Sequence, residues 1–160
     1  QYIRKNLNKN QIVVDLADKY ASKMINQPVR EIFLDELIYQ GKKMYLKDLW
    51  LPKSEEHSKI GYTADELNWA EDNEFYIWQY FVENEILYDN NSKLYDRFIA
   101  RGPFSRFNLE LDSESPSSLG IYIGWKIVKS FMKNNDIKLV NMLQSDSQYI
   151  FKNAKFKPKK

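Results

Sequence analysis

Apolar residues recur at helical spacing along most of the chain. From Asn10 to Ile25, Val13, Val14, Leu16, Ala17, Tyr20, Ala21 and Met24 form a wide stripe that predicts a first helix. Pro28 suits the first turn of a second helix, where a missing N–H costs little. That helix carries "IFLDELIYQGK" and runs to about Trp50, before Pro52. Gly41 interrupts it at a cost of about 1 kcal/mol relative to alanine, and so marks a kink or a close contact. Residues 52–62 read as a polar loop. Thr63 and Glu66 in "TADE" form a capping box, opening a helix to about Leu87. Its stripe is Leu67, Ala70, Glu71, Glu74, Ile77, Trp78 and Phe81, with two glutamates inside the apolar face.

The second half repeats the pattern with shorter pieces. Lys93 to Ala100 reads as a short helix, and residues 101–116 as a loop holding Pro103 and Pro116. Ser115-Pro116 starts the next helix, "SSLGIYIGWKIVKSFMKNN". Gly120 and Gly124 share a face with Ile127, Val128 and Phe131, where small residues one turn apart let another helix backbone come close. "DIKLVNML" and "SDSQYIFKNA" read as two final short helices, with Ser145 and Gln148 placed for a capping box. Strand signals are weak, and glycine and proline fall at element boundaries. The expectation is an all-α or nearly all-α chain, one helical domain over residues 1–160.

Composition narrows the chemistry. Hydrophobic residues make up 43% of the chain, enough for a core. The net charge of +2 is too small to argue for nucleic acid. The basic excess is partly local, in Lys152, Lys155, Lys157, Lys159 and Lys160, which read as a solvated tail. The absence of cysteine removes disulfides, thiolate metal sites and cysteine nucleophiles. The one histidine, His57, lies in "PKSEEHSK", a weak setting for a triad base and too little for a catalytic zinc site, which takes three protein ligands. Phosphate-loop and dinucleotide fingerprints are missing. No apolar run approaches the roughly 20 residues of a membrane span.

One local constellation carries chemistry. In H-E-x-x-H, two histidines four apart bind zinc from one helix face, and the glutamate acts as base on the bound water. Asp35 and Tyr39 have that spacing, and Glu36 holds the base position. Glu71 or Glu74 could supply a later ligand. The plainer alternatives are solvated or paired acids at Asp35 and Glu36, a core tyrosine at Tyr39, and a buried hydrogen-bonded carboxylate at Glu74. Tyr39, Arg97 or Arg101 are candidate donors to Glu74. A neutral tyrosine, with a reference pKa near 10, is a poor zinc ligand. Trp69, Trp78, Trp125, Tyr76 and Tyr122 could line an aromatic cleft, although most such residues belong to a core.

"DELIYQGKKMYLKDLWLP", "IGYTADELNWAEDNEFYIW" and "LGIYIGWKIVKSFMKNN", ending in "FKPK", resemble the C-terminal half of the GldB gliding-motility lipoprotein family of Bacteroidetes. The likeness extends from "YIRKN" at Tyr2 to the lysine-rich end. That family is more distantly similar to predicted zinc proteases with H-E-x-x-H. In that comparison Asp35 and Tyr39 stand at the histidine positions, Glu36 at the base, and Glu74 near the third ligand.

The resemblance implies a metallopeptidase-like bundle that is the C-terminal part of a larger domain. It implies a cell-envelope, periplasm-exposed lipoprotein needed for gliding and linked protein secretion. A signal, a lipidated cysteine and a first half would precede Gln1, so the membrane is reached by an anchor outside this chain. The expected partners are other envelope proteins of the gliding and secretion machinery, with no nucleic acid. The expected site is a relic, Asp35, Glu36, Tyr39 and Glu74, without catalytic residues, cofactor or metal. The alternatives are a metal-dependent peptidase using oxygen ligands, and a helical module binding a peptide or glycan.

Overall fold

A computed structural model of the chain describes residues 9–26, 31–107 and 110–160. Among these residues it contains nine α-helices and no strand. They are α1 (Lys9–Met24), α2 (Phe33–Trp50), α3 (Glu56–Ile60), α4 (Ala64–Asp72), α5 (Glu74–Glu83), α6 (Lys93–Phe98), α7 (Leu119–Asn134), α8 (Leu139–Gln144) and α9 (Ser147–Ala154). Short 3₁₀ turns cover Ile86–Tyr88 and Glu110–Glu114. Pro28 and the segment at Tyr2 lie outside the described residues.

The centre of the fold is the pairing of α2 with α7. Glycine makes it possible. A Cβ on Gly41 would lie 2.5 Å from the carbonyl carbon of Gly124 and 2.9 Å from Val128 Cγ2. A Cβ on Gly124 would overlap the carbonyl of Leu37. The two helix backbones therefore touch, and Gly41 marks a close contact. Around this seam Leu34, Leu37, Met44, Leu46, Tyr122, Trp125, Ile127, Val128 and Phe131 are almost wholly buried. Polar groups tie α2 to α7 and to α3: Asp48 of α2 accepts from Trp125 Nε1 at 2.7 Å and from Lys59 Nζ at 3.0 Å.

Several boundaries differ from the periodic reading. The predicted helix over 64–87 is divided at Asn73, whose side chain bonds back to the Trp69 carbonyl at 2.8 Å, as short amides do in competition with the backbone. It ends at Glu83, where Asn84 repeats that back-bond and Glu85 turns left-handed at φ 54°. The loop at 52–62 contains α3, closed by Gly61 at φ 85°. The helix expected from Ser115-Pro116 starts at Leu119, after Ser118 at φ 62°. The cap of α9 is Asp146, accepting from the Tyr149 amide at 2.8 Å, rather than Ser145. The capping box of Thr63 and Glu66 is present in both directions, at 3.2 and 2.8 Å.

The stripe of α1 divides in two. Val14, Ala17 and Ala21 are buried, whereas Val13, Leu16, Tyr20 and Met24 are exposed.

Candidate functional site

Asp35 sits in the first turn of α2. Ile32, at the cap position, has no side-chain acceptor, so Asp35 supplies it: Oδ2 accepts from the amides of Glu31 and Ile32, both at 3.1 Å. A carboxylate here also meets the positive end of the helix dipole. Its other oxygen accepts from the hydroxyl of Ser147, the first residue of α9. Asp35 thus joins the starts of two helices.

Glu36 is buried. Its Oε1 accepts a 2.7 Å hydrogen bond from Gln40 Nε2, one turn along. Tyr39 is buried, and the ammonium of Lys43 lies 5.7 Å from its ring centroid.

Asp35 and Tyr39 line a cleft of about 390 Å³ between the start of α2 and the α8–α9 turn. Ser147 and Asp146 form its other wall, with Lys42 at the base. The Lys42 ammonium donates to the carbonyls of Leu143 at 3.0 Å and Ser145 at 2.6 Å. Burial pulls its pKa down from 10.5 to about 8, against the opposing charge of Asp146.

Glu74 belongs to a different depression, with Tyr45, Lys126 and Lys159. It opens α5 and is buried. Oε2 accepts from the Tyr122 hydroxyl at 2.7 Å, and Oε1 from the Lys159 amide at 3.0 Å. The donors to Glu74 are therefore Tyr122 and a backbone N–H of the C-terminal tail. Arg97 instead donates to the Arg106 carbonyl and the Tyr80 hydroxyl, and Arg101 stands 3.7 Å from Asp15. Glu71 faces Lys126 at 3.3 Å.

Of the four sequence-predicted site residues, the fold gathers Asp35 and Tyr39 in one cleft and sets Glu74 in another. Among the described residues, no three His, Cys, Asp or Glu side chains converge to hold a metal ion. The donor set does not fit zinc: Asp35 is engaged by two amides and a hydroxyl, Tyr39 is a phenol, and Glu74 is anchored to Tyr122 and Lys159. The aromatic residues are likewise dispersed. Trp125 and Tyr122 are fully buried, Trp78 packs on Phe151 and Phe156, and Tyr76 is exposed.

The sequence reading missed the buried lysines, Lys42, Lys43, Lys47 and Lys59, and the role of Tyr122. "GIYIGWKIV" is apolar on nearly every side, the mark of a central helix. A buried tyrosine there needs a hydrogen-bond partner, and that was the available signal.

A family model described as gliding motility protein GldB matches residues 1–158. No curated protein and no solved structure matches the chain. No helix among the described residues is long and apolar enough to cross a membrane.

Proposed function

The chain belongs to the GldB family of gliding motility proteins, and from that premise we propose that it is a non-catalytic domain of a cell-envelope lipoprotein, supporting gliding and the protein secretion linked to it. In this reading the segment Asp35-Glu36-Leu37-Ile38-Tyr39 descends from a peptidase site and now serves the fold. The carrying observation is the engagement of Asp35. A metal ligand must present free lone pairs to the ion, and this carboxylate spends its oxygens on two backbone amides and Ser147. Glu74 is used in the same way, pinning the tail through Lys159. The domain would be held at the membrane by a lipid outside this chain and would act through contacts with other envelope proteins of the gliding and secretion machinery.

The test is Glu36→Gln in the full-length protein, expressed in a gliding bacterium that lacks its own copy. Glutamine keeps the shape and the carbonyl acceptor for Gln40 but cannot act as a general base. Colony spreading and secretion at the wild-type level, with equal protein abundance, are expected. Loss of spreading at normal abundance would instead require the carboxylate and favour an enzyme.

A further inference from the structure

A separate depression of about 230 Å³ lies where α1, α2 and the segment after α6 meet. Lys43 and Lys47, one turn apart on α2, reach into it, and each is more than nine-tenths buried. Both bind one carboxylate. Lys43 Nζ is 2.7 Å from Asp18 Oδ2, and Lys47 Nζ is 3.2 Å from Asp18 Oδ1. Lys47 also donates to the Lys59 carbonyl at 2.9 Å. Arg101 stands on the same wall, more than half exposed, 3.7 Å from Asp15 at the rim.

The charges do not balance. Among the side chains that line the depression, Asp18 is one negative charge against two buried ammonium groups, and Arg101 adds a third cation, met by Asp15 at 3.7 Å. The buried Glu36 carboxylate stands one residue behind the wall, on Gln40. Excess buried cationic charge is costly unless an anion answers it. The Lys47 ammonium shows that cost: burial first, then repulsion from Lys43 and Arg101, hold its pKa below the lysine range despite the pull of Asp18. An ammonium carries three N–H donors. Lys43 gives one to Asp18 and lies near the Tyr39 ring, so donor capacity remains. Gln40 and Ser118 also line the depression, and Ser118 stands at the N-cap position of the 16-residue α7, whose start carries a partial positive charge. The Ser118 hydroxyl itself donates to the Ala100 carbonyl at 3.1 Å.

We propose that this depression binds the carboxylate of a small acidic ligand, with Lys43, Lys47 and Arg101 as its cationic clamp. Asp18 already takes one donor from each lysine, so the ligand carboxylate takes the remaining ammonium N–H donors beside it. Arg101 offers the planar fork that takes a carboxylate in two parallel hydrogen bonds. A cleft of about 230 Å³ holds such a group with a few carbons attached, and not a polymer. The site touches the 35–39 segment only through the Gln40 bond to Glu36 and the Lys43 contact with the Tyr39 ring, and it does not depend on whether the domain is catalytic.

Succinate is the probe, titrated into the ¹⁵N-labelled 160-residue chain, with inorganic phosphate in a parallel series. The expected result is saturable shifts in the amides of Gln40 to Lys47 and near Arg101 and Ser118, with a millimolar Kd. Arg101→Gln, at an exposed position, weakens succinate at least tenfold. Asp15→Asn breaks the same rim ion pair while keeping the arginine, and leaves the affinity unchanged or tighter. The proposal is overturned by a linear, unsaturating response, by phosphate binding more tightly than succinate, or by equal affinity in Arg101→Gln.

Discussion

The hydroxyl of Tyr122 donates a 2.7 Å hydrogen bond to Glu74 across 48 residues of chain, and both groups are buried. The second oxygen of Glu74 takes the Lys159 amide, so one carboxylate holds α5, α7 and the C-terminal tail together. Glu74→Leu leaves two donors without an acceptor, at about 1–3 kcal/mol each. Glu74→Gln keeps an oxygen for Lys159 and offers N–H to the phenol oxygen, so its cost stays near about 1 kcal/mol. Denaturant midpoints rank the two variants, and amide exchange at Lys159 speeds up in the leucine variant. A leucine variant as stable as wild type would mean that this carboxylate is not an anchor.

Alkaline stability follows from two phenols. Tyr62 donates to the Ser117 carbonyl at 2.7 Å, and Tyr122 donates to Glu74. Burial is the larger cause that raises both pKa values, with Glu66 adding for Tyr62 and Glu74 for Tyr122. The unfolded chain releases these protons near pH 10, and the folded chain holds them. Their stabilising contribution is therefore complete below pH 10 and is lost as pH rises above it, at about 1.4 kcal/mol per pH unit for each tyrosine. Tyr122→Phe lowers that slope by about 1.4 kcal/mol per unit while costing about 1 kcal/mol at neutral pH. Urea titrations between pH 9 and 12 compare the slopes, and equal slopes would remove Tyr122 from the account.

Lys42 acts in the opposite direction over a lower window. Its folded pKa of about 8 lies below the usual 10.5 because burial disfavours the ammonium. Between those values the unfolded chain binds the extra proton, so stability rises with pH. Lys47, also lowered by burial, adds to the rise. Lys42→Met shrinks the gain between pH 7.5 and 9.5 without abolishing it. An unchanged gain would show that Lys42 titrates normally.

What the sequence disclosed was mostly local. The Thr63–Glu66 box and the all-helical character depend on residues within one turn, and both are present. The Gly120 and Gly124 face was visible because small residues on a helix have few other uses. Burial by tertiary partners was not visible. Val13 and Val14 are equal in any hydropathy pattern, yet one is exposed and the other buried, because α1 packs through a stripe narrower than its apolar surface. Nothing local marks Lys43 and Lys47 as buried, because their burial depends on Asp18, far back in the chain. The peptidase-like spacing of Asp35, Glu36 and Tyr39 was legible as spacing. That Asp35 caps its own helix depends on Ile32 having no acceptor, and its bond to Ser147 crosses 112 residues.

Gly124 lies where a Cβ would overlap the carbonyl oxygen of Leu37, with its carbonyl carbon at 2.8 Å and its Cα at 3.3 Å. Those atoms are backbone, in the second turn of α2, and no rotamer change relieves the contact. Overpacking a core usually costs about 1–3 kcal/mol when side chains can shift. Gly124→Ala must move one central helix against the other, so the expected cost is at the top of that range, about 3 kcal/mol. For a chain of this size that lowers the melting temperature by roughly 10 °C. Gly102→Ala is the control: its Cβ would meet only the Phe104 carbonyl oxygen at 3.7 Å, an ordinary contact. It should melt within a degree or two of wild type. If both alanine variants melt together, the α2–α7 backbones do not touch, and the centre of the fold is packed through side chains instead.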